Sequence, residues 1–211
     1  MTRLASLLRD RRASSAAEFA IVLPLLLLFL LGIIDVGRLL WTVNRIEKAT
    51  QMGARFAVVT NPIPSNLRTV SAVGLTDSTG HILVAGDMLT NYVMATAKYS
   101  GTFPRTTAPT CAGNCTALGA ATKASFDAIF NYVKLFLPEL ERTGRVDVSY
   151  SNSGLGYAGD PGGQDFYPII TVTVSDVVFH PISLFLFKTE FTLAPISAAL
   201  TMEDGQGTVS N

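Results

Sequence analysis

The hydrophobic pattern of the chain changes period along its length. Residues 19–34 are sixteen consecutive positions without a charge. An α-helix over them spans about 24 Å, and extension to residues 16–37 matches a hydrocarbon core of about 30 Å. Glu18 and Asp35 then stand near the two boundaries. Farther on, apolar positions recur at Leu39, Val43, Ile46, Gly53 and Phe56, flanked by Leu40, Ala49 and Ala57. Steps of three and four define one helical face, and Arg38, Arg45, Lys48 and Arg55 occupy much of the remainder. The "NPIP" at residues 61–64 ends the pattern, because proline cannot continue a helix. A single helix is expected over residues 15–59, its first part a membrane tether and its distal part a core helix. Pro24, inside the apolar run, frees a backbone carbonyl and predicts a bend.

After this helix the pattern is mixed. "DMLTNYVMATAKY" predicts a helix over residues 87–99. Phe126, Ile129, Phe130, Val133 and Leu137 repeat at helical spacing and predict an amphipathic helix over residues 123–137. "RVDVSYS" (145–151) and "PIITVTVSDVVF" (168–179) are rich in β-branched residues and read as strands, with "EFTLA" and "SAALTM" as further candidates. These elements predict an α+β fold, a small antiparallel sheet backed by the long helix. "VFHPISLFLF" (178–187) is too short to span a bilayer. It reads as a core strand, or alternatively as an exposed patch that lies on the membrane or meets a partner.

Composition sharpens this picture. The 211 residues are 48% apolar with a formal net charge of zero, and the apolar excess is concentrated at one end. Residues 1–12 carry four arginines against Asp10, so the remainder is acidic in compensation and has no basic stripe. That excludes nucleic-acid binding on electrostatic grounds. Positive charge before the apolar run predicts a cytoplasmic N-terminus and an exported C-terminal domain. "GIIDVGRLLW" offers no small-x-small cleavage site, so the run reads as an anchor and not as a removed secretory signal.

Glu18 lies just inside the leading edge of the apolar run. Ser15-Ala16-Ala17-Glu18 fits a capping box, in which serine and glutamate satisfy each other's backbone amides, and a first-turn carboxylate suits the helix dipole. The wider context adds another role. "RRASSAAEFAIVLPLLLLFLLGIIDVGR" (11–38) and "ATQMGARFAV" (49–58) together resemble the TadE-like family of tight-adherence (Flp-type) pilus assembly proteins, relatives of type IV prepilins and pseudopilins. The resemblance covers residues 11–59, and the closing strands are similar in a less specific way. It implies a pilin-like fold and cleavage by a prepilin peptidase between Ala13 and Ser14, which makes Glu18 the fifth residue of the mature chain. It further implies that Glu18, beside Phe19, sets the axial register of neighbouring subunits by pairing with a newly exposed α-amine. The family usually carries glycine before the cut, where this chain has Ala13.

Other motifs carry less. Gly154-Leu-Gly156-Tyr-Ala-Gly159 is formally G-x-G-x-x-G, but "DPGG" follows it and opens no helix to hold a pyrophosphate. Cys111 and Cys115 in "CAGNC" are expected to form a disulfide in an exported domain. With only His81 and His180 elsewhere, no metal site is expected, and no cofactor. Neither histidine has a nucleophile placed beside it by sequence, so no enzymatic activity is expected.

The expected organisation is a basic cytoplasmic leader (1–13), a transmembrane helix (14–37), its exported extension (38–60) and a periplasmic globular domain (61–211). The resemblance implies a minor pilin or pseudopilin at the bacterial inner membrane. Its partners would be the bilayer, the prepilin peptidase, other pseudopilins, the major pilin and the inner-membrane assembly platform. The alternative is a permanently anchored periplasmic binding or scaffold module with an uncut N-terminus.

Overall fold

The proline pair that follows Asn61 stops a helix that begins far upstream. In a computed structural model of the chain, α1 runs without interruption from Arg11 to Val59 with Pro24 inside it. The structure describes residues 11–94, 96–102, 110–113, 118–138, 144–185, 188–202 and 205–207. They divide into two compact units, Met1–Thr42 with Phe179–Phe191, and Val43–Val178 with Thr192–Asn211. The long apolar helix, the small antiparallel sheet and the second helix make an α+β fold, as the pattern predicts.

In the larger unit, five strands form an antiparallel sheet in the order β2-β1-β3-β4-β7. They are β1 (Ala97–Thr102), β2 (Thr110–Gly113), β3 (Arg145–Ser151), β4 (Ile169–Ser175) and β7 (Ile196–Thr201). The central pair β3/β4 sets Val146 opposite Val174, Val148 opposite Val172 and Tyr150 opposite Ile170. All six are buried, as period-two alternation over one covered face requires. Helix α2 (Lys123–Phe136) buries Phe126, Ile129, Phe130 and Val133 in the same core as Ile46, Ala49, Ala54 and Ala57 of α1. Phe56 and Tyr132 stack between the helices at 4.4 Å. The Arg45 guanidinium donates to the Phe136 carbonyl at 3.3 Å. This satisfies a carbonyl that the end of α2 would otherwise leave open.

Three expectations are corrected here. Residues 87–99 are not a helix. A single 3-10 turn (Leu89–Asn91) is followed by β1. Ala97 and Tyr99 point into the core while Lys98 is exposed, and pairing with β3 decides this segment in favour of the strand. The expected strand 168–179 is two, β4 and β5 (Val178–Phe179), separated where Asp176 adopts φ +59°. A left-handed residue cannot continue a ladder. β5 pairs with β6 (Phe191–Thr192). Finally, among the described residues of "VFHPISLFLF" only the first two form a strand. Ile182 and Phe185 stand exposed in the turn that follows.

The glycine-rich segment between β3 and β4 is a packed loop. Asp165 accepts the amides of Ala72 (2.6 Å), Gly159 (2.8 Å) and Asp160 (3.0 Å) and the Ser71 hydroxyl (3.1 Å). Gly156 has φ +120°, and a Cβ there would collide with the Asp165 carbonyl. The glycines serve chain packing, with no helix N-terminus following them.

Candidate functional site

The segment singled out by sequence lies on the first turns of α1. Ala13 and Ser14 are helical, so the bond between them is part of the helix ladder. Ser15 is likewise interior to the helix, which starts at least four residues upstream. The capping-box reading therefore fails, because an N-cap has non-helical backbone angles and its first-turn amides are free. Glu18 and Phe19 are exposed on the helix surface. So are Ile21, Leu23, Leu26, Leu27, Leu28 and Phe29, which circle the helix. An apolar helix exposed all round is compatible with lipid or with other helices, not with water. Ser15–Val59 contains a stretch long and apolar enough to cross a membrane.

The other end of the matching pattern, Gly53-Ala54-Arg55, sits in the core. Ala54 is fully buried. A Cβ on Gly53 would lie 2.5 Å from Val133 Cγ2 of α2 and 3.4 Å from Val172 Cγ1 of β4. Glycine here permits a helix, a second helix and a strand to meet at one point.

Sequence reasoning missed one feature of α1. Asp35, noted only as a boundary charge, is 6% exposed. Its carboxylate accepts the amides of Ile182 (2.8 Å) and Ser183 (2.7 Å) and an Arg38 guanidinium N–H (2.9 Å). Arg38 also donates to the His180 carbonyl at 3.3 Å and lies 5.4 Å from the centre of the Phe179 ring. A carboxylate three residues before an arginine was the one signal available. Its amide partners lie 147 and 148 residues away.

The remaining candidates are dispersed. His81 meets Asp87 at 2.9 Å in the loop before β1. There the Val84 amide and the His81 ring hold the Asp87 carboxyl below its ordinary range. His180 faces Glu190 at 3.8 Å. Cys111 lies on β2, half-buried, whereas Cys115 lies outside the described residues. Among the described residues, no three His, Cys, Asp or Glu side chains converge as metal ligands.

Among known proteins, the chain matches a family model described as TadE-like protein over residues 13–55. No curated protein and no solved structure gives a significant match. The matched span begins at Ala13, includes Glu18 and Asp35, and ends on the Gly-Ala-Arg triplet packed against Val133. Residues 13–55 thus resemble the TadE-like family, and that family implies involvement in tight-adherence pilus assembly.

Proposed function

We propose that this protein is a TadE-like minor pilin or pseudopilin, acting in assembly of a tight-adherence pilus from the bacterial inner membrane. The observation that carries the reading is the exposed apolar surface of α1 within the family match, with Glu18 on that surface and not at a helix cap. In this reading the basic leader stays in the cytoplasm, consistent with its arginines, and the larger unit is periplasmic.

A prepilin peptidase cuts between Ala13 and Ser14, which requires the first helical turns to unwind. Cleavage removes the arginines and leaves an α-ammonium within one helical turn of Glu18. In a low-dielectric setting an ammonium and a carboxylate attract far more strongly than in water. An amine supplied by a neighbouring subunit thus fixes axial register between helices, with Phe19 beside the contact. Other pseudopilins, the major pilin and the assembly platform are the partners of this surface. The exported domain is a non-catalytic body braced by a Cys111–Cys115 disulfide.

The test is intact-mass and N-terminal analysis of protein made with and without the peptidase. A mature chain starting at Ser14 only in its presence supports the proposal. A Met1 terminus in both cases, in an assembly that still works, overturns it and favours the fixed anchor.

A further inference from the structure

Asp35 fastens a turn to α1 at the level where the apolar run ends. Phe179 and His180 lie at Arg38. Ile182 and Ser183 lie at Asp35. One Arg38 nitrogen donates both to Asp35 and to the His180 carbonyl, so residues 179–183 gather around the Asp35 carboxylate. On that same face one turn lower, Leu31 and Gly32 are half-buried, whereas Leu30, Ile33 and Ile34 are exposed.

What the turn carries is apolar. Phe185 is 78% exposed and Ile182 47% exposed, an arrangement water does not favour. Lys188, His180 and Glu190 around it are exposed and charged or polar. Trp41, on α1 six residues beyond Asp35, is 69% exposed. An apolar tip at the end of a spanning helix, ringed by polar groups, with tryptophan about 9 Å above it, is the chemistry of a membrane–water interface.

We propose that the turn at residues 181–185 is a second membrane contact, clipped to α1 by Asp35 so that Ile182 and Phe185 enter the interfacial layer of the bilayer that α1 crosses. Its ligand is phospholipid, the acyl chains just below the headgroups. Asp35 tolerates a position at the hydrocarbon edge because two backbone amides and a guanidinium satisfy its carboxylate. The exported side of the chain is then held to the membrane at two points, which limits rotation about α1. This rests on α1 being a membrane span and is independent of any cleavage at Ala13.

The test places an indole at the tip. Full-length protein carrying Trp41→Phe and Phe185→Trp is reconstituted into phosphatidylcholine–phosphatidylglycerol vesicles. Fluorescence is read with lipids brominated at shallow or deep acyl positions, and with acrylamide in the water. Insertion by the roughly 5–10 Å usual for interfacial groups predicts roughly twofold quenching by shallow bromines and less by deep ones. Acrylamide should quench weakly. Adding Asp35→Ala should release the turn and restore acrylamide quenching, while the protein still resists alkaline carbonate extraction.

An indole open to acrylamide and untouched by bromine, in carbonate-resistant protein, overturns the second contact and leaves the span intact. Shielding that vanishes as protein is diluted into lipid also overturns it, and assigns the patch to a second copy. Protein extracted by carbonate overturns the span itself, and the contact with it.

Discussion

A Cβ on Gly53 would stand 2.5 Å from Val133 Cγ2, closer than packed carbon atoms ever approach. Val133 is fully buried, branched at Cβ and held within α2, so it cannot swing aside. Gly53→Ala is expected to destabilise the larger unit by about 1–3 kcal/mol, despite the better helix propensity of alanine. Each kcal/mol lowers Tm by roughly 2–4 °C in a chain of this size. Val133→Ala should destabilise the wild type but recover most of the loss in Gly53→Ala, a coupling that a double-mutant cycle in detergent measures.

Tyr150 ties the turn after α1 to the sheet, since its buried hydroxyl accepts the Ile63 amide at 3.0 Å. Tyr150→Phe keeps the ring, including its edge-on contact with Tyr99, and leaves that amide unsatisfied. A loss of about 1–3 kcal/mol in denaturant unfolding is expected. A loss near zero would mean that water reaches Ile63.

Asp165 should make stability fall in acid. Burial alone would raise its pKa, but the amides of Gly159, Ala72 and Asp160 and the Ser71 hydroxyl outweigh that and lower it. Asp77 is lowered too, chiefly by the Thr79 hydroxyl. A folded pKa below the unfolded value of about 3.9 means stability is complete above that pH and is lost as pH falls through the depressed folded value. Asp165→Asn should flatten the acid limb of the stability–pH curve. It also turns an amide NH2 toward backbone donors, at a cost of about 1–3 kcal/mol at neutral pH.

Ala13→Gly tests whether helix unwinding limits processing. Glycine weakens a helix by roughly 0.5–1 kcal/mol, which makes the unwound turn roughly two- to fivefold more populated. A time course with purified peptidase should show the cut before Ser14 accelerating by a similar factor. An unchanged rate would place the slow step elsewhere.

Glu18→Gln keeps the size of the side chain and removes its charge. In the register reading it should leave carbonate-resistant insertion unchanged and reduce co-purification with other pilus components. Equal recovery of those components from wild type and variant would remove the register role.

Local pattern was enough to read some of these elements. The helix over residues 15–59 was legible because apolar spacing of three and four continues from the membrane run into the core. Helix α2 was legible because it packs a single face, so burial repeats at the period of its backbone, and strand β3 because it is rich in β-branched residues. Residues 97–102 were not, since "ATAKYSG" fits either period and only the β3 ladder selects the strand. The capping box at Ser15 misled because its pattern marks a helix start only where the helix does start there.

The sequence by itself determined which stretch is long and apolar enough to cross a membrane and which helical faces are buried, because hydrophobic periodicity is a local property. Tertiary structure alone decided what the carboxylates do. Asp35 and Asp165 are ordinary acidic residues in sequence, and become clasps only when folding brings the amides of Ile182 and Ser183 to the one and of Ala72 to the other, each within 3 Å. No local pattern encodes which amides will be left open, since that depends on every other hydrogen bond in the fold.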